Sequence, residues 1–163
     1  MQLPVHDYLD ALDIPYTTGS FPPTTDKGAA QVAQALGYRP RQMVKTLIFE
    51  VDTGEKVLIM VGGDQNAISG HLKKAIGSRN IKLASPQTVQ ETTGYAIGSI
   101  PPFHWPPPQF RTFMDAALLH VDVLGVGTGT WGEEIFLTPT HLVQASRAAV
   151  VNLTDASRPV APA

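Results

Sequence analysis

A lysine set inside an apolar, strand-forming run is the residue of this chain most suited to chemistry. It is Lys45, in Met43-Val-Lys-Thr-Leu-Ile-Phe49. Strand alternation places Met43, Lys45 and Leu47 on one face and Val44, Thr46 and Ile48 on the other, so the amine stands among apolar neighbours. One reading is an edge lysine whose ammonium snorkels to water. The other is a ligand-facing amine that offers three donors and a positive charge to a carbonyl or phosphate oxygen. Three glycine-containing segments, Val61-Gly-Gly-Asp64, Gly94-Tyr-Ala-Ile-Gly98 and Gly125-Val-Gly-Thr-Gly129, are candidate ligand contacts. They read as turns, or as places where a ligand approaches backbone amides that a side chain would screen. None carries the phosphate-loop pattern or the full dinucleotide fingerprint.

Other chemistries are excluded or unsupported. The chain has no cysteine, which removes disulfides, thiolate zinc sites, iron–sulfur clusters and a thiol nucleophile. Its five histidines, His6, His71, His104, His120 and His141, show none of the HxH, HxxxH or HExxH spacings. They are expected to be scattered surface or loop residues, and no metal or other cofactor is expected. No GxSxG elbow announces a Ser/His/Asp triad. Lys73, Lys74, Arg79 and Lys82 form the one basic cluster, read first as a solvated face and second as a nucleic-acid contact. No aromatics interleave with it, which argues against a stacking platform. Twelve basic and fourteen acidic residues give a net charge of −2, unlike an autonomous nucleic-acid binder.

These residues need a scaffold, and 163 residues with 43% hydrophobic and 16% charged side chains suit one folded domain. We assign it to residues 1–154, with 155–163 a frayed tail. No apolar run approaches a membrane span, and the N-terminus lacks the basic flank and apolar stretch of a signal peptide, so a cytoplasmic location is expected. Val5, Tyr8, Leu9 and Leu12 mark a first helix ending near Ile14-Pro15. Residues 19–25 read as loop. Thr25 or Asp26 caps a second helix that runs to Gly37. Residues 44–51 and 56–62 form a hairpin about the Thr53-Gly54 pair. A third helix spans 66–76, a short strand 81–84, and a helix capped by Ser85 follows through Glu91. Two glycines and five prolines between Gly94 and Gln109 make that stretch a long shaped loop, a frequent place for function. Strands at 110–114, 122–126 and 134–137, a helix from Thr138-Pro139 to Ala145 and a strand at 150–153 complete the chain. The mixture without a βαβ rhythm predicts an α+β domain around one mixed or partly closed sheet.

The ordered set Leu36-Gly37, Met43-Val-Lys-Thr-Leu47, Leu72-Lys-Lys74, Thr93-Gly-Tyr95, Gly98-Ser-Ile-Pro-Pro102, Asp115, Gly127-Thr-Gly129 and Phe136-Leu-Thr-Pro139 resembles the YbaK and prolyl-tRNA-synthetase-associated domain family. The resemblance runs from about residue 5 to residue 153. It implies a mixed, barrel-like β-sheet wrapped by helices. It also implies a metal-independent trans-editing deacylase that hydrolyses the ester of mischarged tRNA(Pro), serving translation fidelity. With a net charge of −2 and one basic cluster the chain is expected to bind tRNA weakly and to need prolyl-tRNA synthetase or an elongation factor as the delivering partner, and neither membrane nor DNA is expected. Lys45 matches the family's strand lysine and becomes the implied catalytic residue. Thr46, the loop residues Gly98, Ser99, Ile100 and Pro102, and the pocket-lining Gly127, Thr128 and Gly129 are the implied substrate contacts, with Lys73 and Lys74 toward nucleic acid. An ester held against amide donors and a lysine charge, with water alongside, needs no nucleophilic side chain.

The chain departs from the Cys-tRNA(Pro) deacylases of that family at three places. It has Gly19 where they have tyrosine, Glu134 where they have aspartate, and Trp105-Pro-Pro-Pro108 where they have a basic loop. Alanine, serine, threonine, cysteine and non-protein amino acids all stay open as the acyl group. A non-catalytic module holding a tRNA end, an amino acid or a synthetase surface is the alternative, and an unrelated small-ester or amide hydrolase a third reading.

Overall fold

Apolar side chains on both faces of a strand require cover on both faces, and the run Lys56–Val61 meets that requirement at the centre of the fold. The computed structural model describes residues 1–155; the tail expected to be frayed lies, from residue 156 on, outside the described residues. Strand β2 (Lys45–Val51) and strand β3 (Lys56–Val61) form the predicted hairpin, with Lys45 opposite Val61. Val57 to Val61 are fully buried. Leu58 and Met60 join one core with Ile48, Phe103, Met114, Leu124 and Ile135, while Val57, Ile59 and Val61 join a second with Val51, Leu72, Phe113 and Leu153.

Before the hairpin come helix α1 (Pro4–Ala11), strand β1 (Thr17–Ser20) and helix α2 (Ala29–Leu36). After it come helix α3 (Ser69–Ile76), strand β4 (Ile81–Leu83) and helix α4 (Pro86–Thr93), then the long loop. Strands β5 (Thr112–Asp115), β6 (Leu124–Gly127) and β7 (Glu133–Leu137), helix α5 (Pro139–Ser146) and strand β8 (Ala149–Val151) finish the described chain. Helices α2, α3 and α4 each stop at a glycine in the left-handed region, Gly37, Gly77 and Gly94, where a side chain is strained. Ser85 caps α4 as predicted, its Oγ accepting from the Thr88 amide at 3.2 Å. Helix α2, by contrast, starts from Gly28 instead of a Thr25 or Asp26 cap. No helix among the described residues is long and apolar enough to cross a membrane.

The α+β class holds, but the strands make two sheets. One has the order β1-β7-β6, all antiparallel; the other has β4-β2-β3-β5-β8, with β5 parallel to both its neighbours. No closed barrel is formed among the described residues. Among the described residues the sheets are joined at one bridge, Met43 with Gly125, where the Val44 amide donates to the Gly125 carbonyl at 2.9 Å. Lys45 therefore lies at the seam, where β2 leaves contact with β6. Strand β1 falls in a segment read partly as loop. Thr17–Ser20 is a mostly exposed edge, and without an apolar face it shows no alternation.

Just beyond β3, Gly63 lies under the turn that leads into β2. A Cβ there would overlap the Pro40 carbonyl oxygen and sit 2.5 Å from the Met43 oxygen and from Ala29 Cβ. Two of those contacts are backbone and cannot swing away. Gly63→Ala is expected to cost about 3 kcal/mol, the upper range for overpacking. Urea denaturation measures it, and a change within about 0.5 kcal/mol, as at an unconstrained surface site, would contradict this packing.

Candidate active site

Lys45 is half-buried at the seam, and its Nζ donates to Asn66 Oδ1 at 3.0 Å. The loop after β3 supplies that partner because β3 ends opposite Lys45. Burial lowers the amine's affinity for its proton, and the Asp64 carboxylate partly counteracts this. Asp64 itself is committed to Arg41, at 3.2 Å. The ammonium is thus incompletely compensated within the protein, which favours an incoming acceptor oxygen.

It faces a cavity of about 220 Å³. The walls come from four places: the entry and first turn of α2 (Lys27 to Val32), the entry and start of β2 (Met43 to Leu47), the loop at Ile97 to Ile100, and the β6–β7 hairpin at Gly127, Trp131 and Glu134. Five expected site residues meet there, namely Lys45, Thr46, Gly98, Ile100 and Gly127. Gly127 lets strand and loop approach, since a Cβ on it would lie 2.9 Å from the Ser99 carbonyl oxygen. The Gly129 amide donates to that same oxygen at 2.7 Å. No hydrogen bond from the Gly98 or Ile100 amide is present among the described residues. Both residues line the cavity, so two amides of its wall are without a partner among the described residues.

Other expected contacts lie outside this lining. Thr128 is buried, and its hydroxyl is occupied by the Thr130 and Glu133 carbonyl oxygens, at 3.2 and 3.1 Å. Gly129 packs under the Tyr95 ring in a left-handed conformation that a side chain could share neither sterically nor conformationally. Ser99 and Pro102 are buried behind the loop. These four shape the wall from behind. Lys73 and Lys74 are exposed on α3, which packs by Leu72 and Ile76 on the second core, and neither lines the cavity. The histidines do not line it either. His6, expected at a surface or in a loop, is buried as an α1 cap, with Nδ1 accepting from the Leu3 amide at 2.9 Å. His104 pairs with the Tyr95 hydroxyl at 2.5 Å. Among the described residues no three His, Asp or Glu side chains group as metal ligands.

The cavity also contains polar groups that sequence reasoning did not place there. Glu134 is 9% exposed, and burial alone pushes its carboxyl up to about 8, so that at neutral pH it is mostly protonated. Trp131 Nε1 is buried without a hydrogen-bond partner among the described residues, as is Oγ1 of Thr46, itself an expected contact. Lys27 Nζ covers the Trp131 ring, 3.8 Å from its centroid. Gly19 and Gly127 are the register partners of Glu134 on either side, so no neighbouring strand side chain crowds the carboxyl. At Gly19 itself the Phe136 ring occupies the space, 2.7 Å from where a Cβ would stand. Unpaired polar atoms are costly inside a protein.

Residues 25–145 match the family described as the aminoacyl-tRNA editing domain. A proline–tRNA ligase of Lysinibacillus sphaericus (strain C3-41) is 34% identical over 80 residues, which are 49% of this chain and 14% of the ligase. The chain thus spans only a small part of that relative. A protein of Enterococcus faecalis (strain ATCC 700802 / V583), named as a candidate Cys-tRNA(Pro)/Cys-tRNA(Cys) deacylase, is 25% identical over 142 residues and 86% of each chain. A crystal structure described as a candidate trans-editing enzyme for prolyl tRNA synthetase superposes with a TM-score of 0.82 at 27% identity, covering 95% of this chain and 99% of that one.

Proposed function

Since this chain belongs to the aminoacyl-tRNA editing domain family, we propose that it is a trans-acting deacylase that hydrolyses the ester joining a wrong amino acid to tRNA(Pro). The observation that carries the reading is the convergence of Lys45 with the unpartnered Gly98 and Ile100 amides on one cavity. At about 220 Å³ it falls below the roughly 300–1,000 Å³ of sites that enclose drug-sized ligands. That size suits an aminoacyl group, with the body of the tRNA outside.

The ester carbonyl oxygen would lie against the two amides and the Lys45 ammonium. Those donors stabilise the negative charge that builds on that oxygen when water adds to the carbon. The bond to the terminal ribose oxygen then breaks, and that oxygen takes the proton released by the attacking water. No covalent intermediate is needed, because positioning and charge stabilisation supply the acceleration. With a net charge of −2 and Lys73 and Lys74 as the basic patch nearest in character to a phosphate contact, affinity for tRNA is modest. Delivery by prolyl-tRNA synthetase or an elongation factor is part of the proposal.

A panel of tRNA(Pro) charged with Pro, Ala, Cys, Ser or Thr tests it. Loss of one or two non-cognate esters with Pro spared is the expected result. Equal loss of every ester, and of simple amino-acid esters without tRNA, would instead identify an unselective small-ester hydrolase.

A further inference from the structure

Glu134 poses a question that ester hydrolysis by Lys45 and backbone amides leaves unanswered. Its carboxyl lines the cavity, yet among the described residues it has no hydrogen-bond or ion-pair partner. Both cations of the cavity are engaged elsewhere, Lys45 with Asn66 Oδ1 and Lys27 over the Trp131 ring. Its neighbour Glu133 differs in that its Oε2 accepts from the Ser20 hydroxyl at 3.1 Å near the surface. A group so buried and so unsupported lowers stability unless a ligand completes it.

The rest of the cavity restricts what that ligand is. Its donors, the Lys45 ammonium and the Gly98 and Ile100 amides, call for an acceptor oxygen. Glu134, set between Gly19 and Gly127, calls for a donor or a positive charge within the same small volume. An α-aminoacyl group offers both, a carbonyl oxygen and an ammonium on adjacent carbons. We propose that Glu134 recognises the free α-ammonium of the aminoacyl substrate, so that the site accepts aminoacyl esters and discriminates against N-acylated ones. The proposal rests on the deacylase reading and names the part of the substrate that Glu134 binds. A carboxylate formed on binding is then paired, and an amide nitrogen in place of the ammonium leaves it buried and alone.

The experiment compares deacylation of the preferred aminoacyl-tRNA(Pro) with that of its N-acetylated form, for the natural protein and for Glu134→Gln. Glutamine keeps the shape and removes the charge. A charged hydrogen bond corresponds to about 10- to 100-fold in rate. The natural protein is expected to favour the free amine by at least about 10-fold, and Glu134→Gln to lose most of that preference by slowing on the free-amine substrate alone. Equal rates on both substrates in the natural protein overturn this proposal and leave the deacylase reading standing, as does a preference that Glu134→Gln retains. Hydrolysis of neither substrate overturns both.

Discussion

Lys45→Ala is expected to lower deacylation about 100-fold or more, the range found when one donor to a developing oxyanion is removed. The substitution leaves the cavity walls in place, since four separate chain segments build them. Among the described residues the one side-chain hydrogen bond lost is that to the exposed Asn66. Stability should therefore change by less than about 1 kcal/mol, as for other exposed polar contacts. Lys45→Arg tests whether charge alone suffices. The planar guanidinium does not place a point charge where the ammonium sits, so partial activity at best is expected. Single-turnover rates with circular dichroism on the same samples separate chemistry from folding. A well-folded Lys45→Ala protein with its activity intact would remove the lysine from the mechanism.

Glu134→Gln is expected to stabilise the protein in a pH-dependent way. The carboxyl titrates near 4.5 when unfolded and at about 8 when folded. Between those values the unfolded chain releases a proton that the folded chain keeps, so wild-type stability falls as pH rises and then levels off above about 8. The slope is about 1.4 kcal/mol per pH unit. Over the whole interval the loss is on the order of 5 kcal/mol, or about 10–20 °C in Tm for a chain of this size. Glutamine has no such titration. The two proteins should melt at similar temperatures near pH 4.5 and diverge toward pH 8, with the variant higher. Parallel melting curves across that range would show that the carboxyl is not held protonated by burial. The same burial gives Glu134 its capacity to respond to a cationic substrate.

Sequence made Lys45 visible because one charged residue interrupts an apolar run. Helix ends were equally visible, through Ser85, Thr138 and the glycines at 37 and 77, while the helix read through Glu91 runs on to Thr93. Glu134 stood out only as a departure from a family pattern. Both faces of β7 are buried, with Ile135 and Leu137 in the main core and Phe136 in the cluster under α2. Alternation therefore could not tell the inward acid from the outward one of the Glu133-Glu134 pair; the register with Gly19 and Gly127 does. Lys27 and Trp131 lie in connecting segments far apart in sequence, and only the packing of α2 on β7 brings them to one rim. The division into two sheets was also out of reach, because it depends on pairings such as β1 with β7 across more than a hundred residues. Thr128 was expected in the pocket as a small polar residue, but its hydroxyl serves its own turn.

The central claim is that the Lys45 cavity turns over aminoacyl ester. Its most direct test is to follow release of a non-cognate amino acid from tRNA(Pro) with the protein at a small fraction of the tRNA concentration. Many esters cleaved per protein molecule, with Pro-tRNA(Pro) left intact, is the predicted result. Saturable binding with no ester lost beyond the spontaneous rate would contradict it and would make the cavity a holding site for the aminoacyl end.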